Sequence, residues 1–175
     1  GMVINLGNHR AIVIDTGPDP ALIDRCLKQL GVREIPLLIL THGHADHIAG
    51  LSGAIAKRKV GTKWFGNVKQ GTTARFGEMD VKVLWPDQGS YDENNSSIAV
   101  RIDSPDFSLF AGGDMEPLTQ AIIAPELTRV DIYKVSHHGS AYQDEGFTRA
   151  LQPQLALISV GAENSYGHPA ANTIE

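Results

Sequence analysis

Apolar residues occur along the chain in two patterns, short runs typical of strands and helical spacing, and these predict strands and helices in mixed order. The apolar run at residues 35–40 is short and uniform, which is typical of a buried strand rather than a surface helix. Residues 3–6 and 11–15 predict a β-hairpin around Gly7-Asn8, with Ile12 and Ile14 on one face. The other predicted strands cover residues 62–66, 81–85, 97–103, 107–111, 130–135 and 155–160.

Helical spacing of apolar residues appears between these strands. Asp19 predicts an N-cap with Pro20 at the first helical position, and the helix is expected to end at Gly31. Cys26 lies on the predicted apolar face, so we expect it to pack in the core. Further helices are predicted at residues 48–55, ending in a basic run, at 117–124, at 145–151 and as a first turn in 169–175.

Hairpins and strand-then-helix units both occur, which favours layered sheets covered by helices. No linker or repeat divides the chain, and 175 residues fit one domain with a sizeable core. We therefore expect a single domain over residues 1–175. The last residues read as the start of another helix, so we expect this domain to be incomplete at its C-terminus.

Composition narrows the function classes. The chain is 42% hydrophobic and 20% charged, as in soluble globular proteins, and no apolar run approaches the roughly 20 residues that span a bilayer. We therefore expect no membrane insertion. A single cysteine excludes an internal disulfide and a cysteine-rich zinc site. The net charge of −5 argues against coating nucleic acid by bulk charge.

A local basic track remains compatible with that charge. Lys57, Arg58, Lys59 and Lys63 could follow the backbone of a DNA strand. Basic residues at the end of a helix also complement its dipole, and this structural interpretation is the stronger of the two.

The segment THGHADHIAG, residues 41–50, holds three of the seven histidines. Neutral imidazole and carboxylate are ligands that divalent metals such as zinc prefer. In an extended loop His42 and His44 project to the same side, whereas Asp46 and His47 turn towards a second point as a helix begins. Four ligands in one loop therefore predict two metal ions.

Other predicted strand ends also carry His or Asp. Asp114 follows an apolar strand and is predicted to bridge two metals, although it could instead cap the next helix. Of the adjacent pair His137 and His138, one can complete the second metal site and the other can donate a proton or contact phosphate. His168 follows the last strand, whereas His9 is expected on the surface.

At these residues the chain resembles the metallo-β-lactamase superfamily, whose motif is His-x-His-x-Asp-His. The resemblance implies an α+β fold, a four-layer αββα sandwich with the metal site at one edge. It also implies that Asp15 supports the motif loop. More narrowly, IDTGPDP, NNSSIAVRI, FAGGDME, VDIYKVSHHGS and LISVGAENSYGHP resemble the C-terminal domain of the ComEC family of DNA-uptake channels and its stand-alone relatives.

That resemblance implies a hydrolase with two divalent metal ions, zinc or manganese, acting on DNA or a small phosphodiester. The partner would be a fused or associated membrane channel, and the location extracytoplasmic in that case and cytoplasmic for a stand-alone protein. It makes His138 the ligand of the pair, and Asp46, His137 and His168 catalytic. One departure is Asn95, which stands where many relatives carry a histidine ligand and could offer only a weak oxygen.

Two alternatives remain at this point. A hydrolase of the same fold could act on a thioester, a lactone or a β-lactam, although Cys26 in a helix cannot replace the cysteine ligand of many zinc β-lactamases. A non-catalytic module could instead use the fold to hold DNA or a partner.

Overall fold

The protein is described by a computed structural model that covers residues 1–66, 68–89, 91–161 and 163–175. The described residues form two compact units, residues 1–68 and residues 69–175. That both belong to one domain stays a prediction. No helix in the described part of the chain is long and apolar enough to cross a membrane.

The first unit is a four-stranded sheet with three helices. Its strands are β1 (Met2–Gly7), β2 (Arg10–Ile14), β3 (Glu34–Ile39) and β4 (Lys59–Trp64), in that spatial order. Its helices are α1 (Pro20–Gln29), α2 (Ala45–Ile48) and α3 (Leu51–Ile55). Because β2, β3 and β4 are parallel, their carboxyl ends lie at the same edge of the sheet.

The predicted hairpin is confirmed, with its turn one residue later than expected. Asn8 and His9 both have positive φ angles, 51° and 61°, which is the backbone of a two-residue hairpin turn. His9 is exposed, as predicted, and its Nδ1 lies 2.9 Å from the carbonyl oxygen of Gly31.

Helix α1 buries a narrower face than its apolar pattern predicted. Ile23 and Leu27 pack in the core of the first unit, but Leu22 and Leu30 are each 54% exposed. Cys26 is also exposed, so the prediction that it packs in the core is wrong. The physical reason is that a single row of side chains on α1 meets the sheet.

The helix predicted over residues 48–55 is interrupted. Its backbone breaks between α2 and α3 because the amide of Gly50 donates to the carbonyl of Gly17, at 2.7 Å. A Cβ atom on Gly50 would lie 2.3 Å from the carbonyl oxygen of Thr16, and one on Gly53 would lie 1.9 Å from that of Pro20. Glycine at both positions therefore lets this segment pack directly against the chain that follows β2.

Arg58 is an internal part of the first unit and not part of a DNA track. Its side chain is only 5% exposed and its Nη1 lies 2.8 Å from Asp24 Oδ1. The guanidinium also donates to backbone carbonyl oxygens, those of Asp24, Val32, Gly53, Ala54 and Ala56. The helix-end interpretation therefore fits Arg58, whereas Lys57, Lys59 and Lys63 are exposed.

We expect Arg58→Ala to lower the free energy of unfolding by about 3 kcal/mol, because it leaves several buried carbonyl groups unpaired. Urea denaturation measures this loss. Lys59→Ala is the matched control, since Lys59 is exposed and its ion pair with Glu34 spans 4.0 Å, so a change within about 0.5 kcal/mol is expected. Equal losses in the two variants would contradict the role assigned to Arg58.

The second unit is a six-stranded sheet. Its strands are β5 (Thr73–Phe76), β6 (Met79–Trp85), β7 (Ala99–Asp103), β8 (Ser108–Ala111), β9 (Ile132–Lys134) and β10 (Leu155–Leu157). Their spatial order runs from β10 at one edge, through β9, β8, β7 and β6, to β5 at the other. The pairs β8 with β9 and β9 with β10 are parallel, and the remaining pairs are antiparallel. Strand β5 was not predicted, because it is an edge strand without buried positions.

Helices cover the second sheet through an aromatic core. They are α4 (Pro117–Ile123), α5 (Glu145–Leu151) and α6 (Ala171–Ile174), with 3-10 turns at Ala124–Glu126 and Ser136–Gly139. The ring of Phe147 packs edge-on against Phe110 and Tyr133, at centroid distances of 5.4 and 5.9 Å. Two sheets with several helices confirm the expected α+β class.

Candidate metal centre

The motif loop of the first unit follows β3 directly and brings its first two histidines together. His42 Nε2 lies 3.1 Å from His44 Nδ1, and the two ring centroids are 4.8 Å apart. His42 is buried, whereas His44 is exposed. Two nitrogens facing each other at this distance are arranged as ligands of one ion would be.

The other two residues of the motif lie in α2. His47 Nε2 is 3.6 Å from Asp46 Oδ2, and the ring of His47 lies 4.1 Å from that of His42, centroid to centroid. The side chain of His47 is 2% exposed and that of Asp46 is 52% exposed. An imidazole nitrogen and a carboxylate oxygen therefore form a second pair of donors beside the first.

Asp15 lies beneath this loop because parallel β2 and β3 end at the same edge. Its carboxylate accepts hydrogen bonds from Thr41 N at 2.8 Å and from Thr41 Oγ1 at 3.0 Å. It also accepts one from His47 Nδ1 at 2.8 Å. This last bond holds the proton on Nδ1 and leaves His47 Nε2 free of a proton, as a metal ligand requires.

Thr41 is a supporting residue that the sequence argument missed. Besides its bonds to Asp15, its hydroxyl oxygen lies 3.2 Å from His42 Nδ1 and 3.3 Å from His47 Nδ1. It is 2% exposed. The available signal was its position immediately before the motif, where a hydroxyl can bond both to the loop and to Asp15.

In the second unit, the parallel strands β8, β9 and β10 end at one edge and gather the other predicted residues. Asp114 follows β8, is 4% exposed, and its amide donates to Ser97 Oγ at 3.0 Å. Gly112 lets Ser136 pack against the end of β8, since a Cβ there would lie 2.8 Å from Ser136 Oγ. Asp114 is thus fixed at a strand end, as a bridging ligand would need to be.

His138 is oriented by the strand next to it. Its Nδ1 lies 2.6 Å from the carbonyl oxygen of Ser159, just beyond β10, so Nδ1 donates. Its Nε2 then lies 3.5 Å from Asp114 Oδ2. A backbone carbonyl that fixes one ring nitrogen and leaves the other towards a carboxylate is typical of a metal-binding histidine.

His137 faces two carboxylates. Its Nε2 lies 4.0 Å from Asp114 Oδ2 and its Nδ1 lies 3.5 Å from Glu116 Oε1. Glu116 was missed in the sequence, although it stands two residues after Asp114. His137 is therefore placed beside the predicted ligands with an acidic neighbour of its own.

His168 lies next to His137, with ring centroids 5.7 Å apart and the planes at 71°. Burial lowers the pKa of His168, and the charges of His137 and His138 lower it further, against an opposing effect of Asp114. At neutral pH this imidazole is therefore mostly uncharged, which suits a hydrogen-bond donor to a phosphate oxygen better than a general acid.

Asn95 is held by a structural network. Its Oδ1 accepts from Glu116 N at 3.1 Å and from Thr119 Oγ1 at 2.7 Å, and its Nδ2 donates to Asp92 Oδ2 at 2.9 Å. Since two donors already occupy the two lone pairs of the amide oxygen, this geometry argues against the weak ligand role expected for Asn95.

The donor set fits divalent cations in each unit taken by itself. Both groups combine imidazole nitrogens with carboxylate oxygens, the chemistry that zinc accepts, with carboxylate also suiting manganese. In each, one histidine has its Nδ1 tied to a fixed oxygen atom, Asp15 Oδ2 for His47 and the carbonyl of Ser159 for His138.

Comparison with known proteins finds similarity to metallo-beta-lactamases and to two bacterial relatives. Residues 2–69 match the model of the metallo-beta-lactamase superfamily. ComE operon protein 3 of Bacillus subtilis is 28% identical over 173 residues, covering 83% of this chain and 22% of that protein. Recombination protein 2 of Haemophilus influenzae is 24% identical over 151 residues, covering 79% of this chain and 19% of that protein. The chain thus spans about a fifth of either relative.

A solved structure supports the fold. The metallo-beta-lactamase GOB-18 from Elizabethkingia meningoseptica has a TM-score of 0.51 and 16% identity, covering 83% of this chain and 77% of that one. The resemblance inferred from the motifs and the expected fold class are thereby confirmed. The fold and the His/Asp groups indicate binding of divalent metal.

Proposed function

Starting from a chain with the metallo-β-lactamase fold and similarity to competence proteins, we propose that this protein is a metal-dependent phosphodiesterase that cleaves DNA during DNA uptake. Its cofactors are two divalent ions, zinc or manganese. The proposed ligands in the first unit are His42, His44, Asp46 and His47. Those in the second unit are Asp114 and His138.

The observation that carries this proposal is the way the histidines are oriented. His47 has its Nδ1 fixed by Asp15 at 2.8 Å, and His138 has its Nδ1 fixed by Ser159 at 2.6 Å. Each therefore presents Nε2 close to a carboxylate. Ordering and burying an imidazole costs conformational entropy, so a histidine with a purely structural role has no need of an Nε2 held beside a carboxylate.

The proposed ligands would hold divalent ions, which would supply a water molecule of lowered pKa and compensate the negative charge that develops on an attacked phosphoryl group. The protein's own residues orient the substrate. His168, mostly neutral, donates a hydrogen bond to a non-bridging oxygen. His137, beside the carboxylate of Glu116, holds a proton near the leaving oxygen. Asp46, which is more exposed than the other carboxylate ligand, Asp114, orients the water.

The choice of a phosphodiester rests on the relatives and on charge. Competence and recombination proteins handle DNA, and a DNA strand presents a phosphodiester at each step. Exposed Lys57, Lys59 and Lys63 can contact a strand backbone even though the chain carries a net charge of −5. A fused or associated membrane channel is the partner that fits this role.

The test measures turnover in the reconstituted protein. The full chain is loaded with zinc or manganese and incubated with single-stranded DNA and with bis-(p-nitrophenyl) phosphate. We expect hydrolysis of both, its loss in a chelator and its return on adding metal. Asp114→Ala is the inactive control, and circular dichroism checks that it folds.

Other outcomes decide against the proposal. Turnover of a thioester, lactone or β-lactam without turnover of either phosphodiester would assign a different hydrolase. DNA binding with no turnover under any metal loading would assign a non-catalytic module.

A further inference from the structure

We propose that Tyr166 is a stacking platform for one unpaired nucleobase of a DNA strand whose phosphate is held at His168. This inference rests on the proposed function and names how its substrate is gripped. Tyr166 would then position the substrate, and it is neither a proposed metal ligand nor a predicted catalytic residue.

A row of rings leads from solvent to the histidine pair of the second unit. Tyr166 is 81% exposed, and its ring lies nearly parallel to that of His168, at 22° with centroids 6.0 Å apart. His168 in turn meets His137 edge-on at 5.7 Å. The exposed tyrosine therefore continues the row outwards from the residues that face Asp114.

The loop that carries Tyr166 is closed by one side chain. Asn164 Nδ2 donates to the carbonyl oxygen of His168 at 2.8 Å, and His168 N donates back to Asn164 Oδ1 at 3.1 Å. Beyond the loop, Ala170 N donates to Gly139 O at 2.8 Å, which ties it to the segment that contains His137 and His138. The tyrosine is thus presented from a braced loop, so little order has to be gained when a ligand binds.

A nucleobase is the ligand that this geometry fits. The exposed phenol ring offers a flat, uncharged π surface, and an aromatic ring beside a backbone-binding site is how proteins grip single strands without reading their sequence. The adjacent imidazole of His168 can bond a phosphate oxygen, so base and backbone of one nucleotide would be held by neighbouring rings. A strand with its bases removed would lose only the stacking contact with Tyr166 and would keep the phosphate contact with His168.

The chain offers a matched control in Tyr142. It is 72% exposed in the same unit, and no aromatic ring among the described residues packs against it. A general effect of removing a surface tyrosine would appear in both variants, whereas stacking would appear only at Tyr166.

The experiment compares two labelled DNA strands of equal length, a twelve-nucleotide oligo-thymidine and an abasic strand with the same backbone. Fluorescence anisotropy of the metal-free full chain gives Kd without cleavage. We expect Tyr166→Leu to raise Kd for oligo-thymidine about tenfold and to leave the abasic strand unchanged, Tyr166→Trp to keep the wild-type Kd, and Tyr142→Leu to change neither. In metal-loaded protein, Tyr166→Leu should raise KM for the thymidine strand with kcat within about twofold.

The contrary results are distinct. An unchanged Kd for oligo-thymidine in Tyr166→Leu, an equal rise for both strands, or a wild-type protein that does not discriminate between them would each overturn the stacking role. Absence of any phosphodiester turnover together with the selective tenfold rise would defeat the proposed hydrolase and leave the platform standing. Turnover of bis-(p-nitrophenyl) phosphate with no selective rise in Kd would support the proposed hydrolase and overturn the stacking role.

Discussion

His47→Ala is expected to lower metal affinity and phosphodiester turnover together, each by more than about a hundredfold, in a protein that remains folded. Replacing even a residue that only orients a ligand costs roughly 10–100-fold, and His47 combines a buried ring with a fixed Nδ1. Elemental analysis of the purified variant measures the bound metal, and initial rates measure the turnover. Thermal denaturation establishes that the fold is retained.

The matched control for this prediction is His9→Asn. His9 is an exposed histidine of the same unit, outside the predicted ligands, and its positive φ of 61° is one that asparagine adopts readily. We expect full metal content and wild-type rates in this variant. Full metal occupancy in His47→Ala would show that His47 is not a ligand.

The second large effect is expected at Asp15. Asp15→Asn keeps the shape of the side chain and tolerates the positive φ of 57°, but it can turn an amide N–H towards His47 Nδ1, which is itself a donor. The imidazole loses its fixed orientation, so we expect metal affinity to fall about 10–100-fold. Titration calorimetry with zinc or manganese measures this change.

A companion variant separates orientation from folding. Asp15→Ala removes the hydrogen bonds to Thr41 as well and places alanine at a positive φ, and we expect it to lower the free energy of unfolding by about 3 kcal/mol or more. Urea denaturation gives that value. If Asp15→Asn bound metal as tightly as the unaltered protein, the support assigned to this carboxylate would be wrong.

Much of the first unit's chemistry could be predicted because it is local. The motif residues lie within six positions, so their convergence follows from one loop and the first turn of one helix. Asp15 stands far from them in sequence and was named only through the family resemblance. The structure explains its place, since parallel β2 and β3 end side by side. Strand ends can be located from apolar runs, and that is why Asp114 and the pair His137 and His138 could also be named. The choice of His138 as the ligand of that pair came from the family resemblance.

The features that sequence reasoning missed depend on tertiary contacts that have no periodic signature. Arg58 looked like part of a surface charge run, but the end of α3 surrounds it with carbonyl oxygens. Cys26 has helical spacing like its buried neighbours, and only the position of the sheet decides which row is covered. The fixed orientation of His138 depends on the backbone carbonyl of Ser159, just beyond β10, which no side-chain pattern reveals.

The backbone at the histidine pair carries a cost of its own. His137 and His138 have φ angles of 48° and 54°, in the left-handed region that disfavours non-glycine residues by roughly 1–2 kcal/mol each. Glycine would relax both positions but would remove the imidazoles. At this turn, selection for thermostability and selection for chemistry therefore oppose each other. Replacing the two histidines with glycine would stabilise the fold but would remove the side chains proposed for activity.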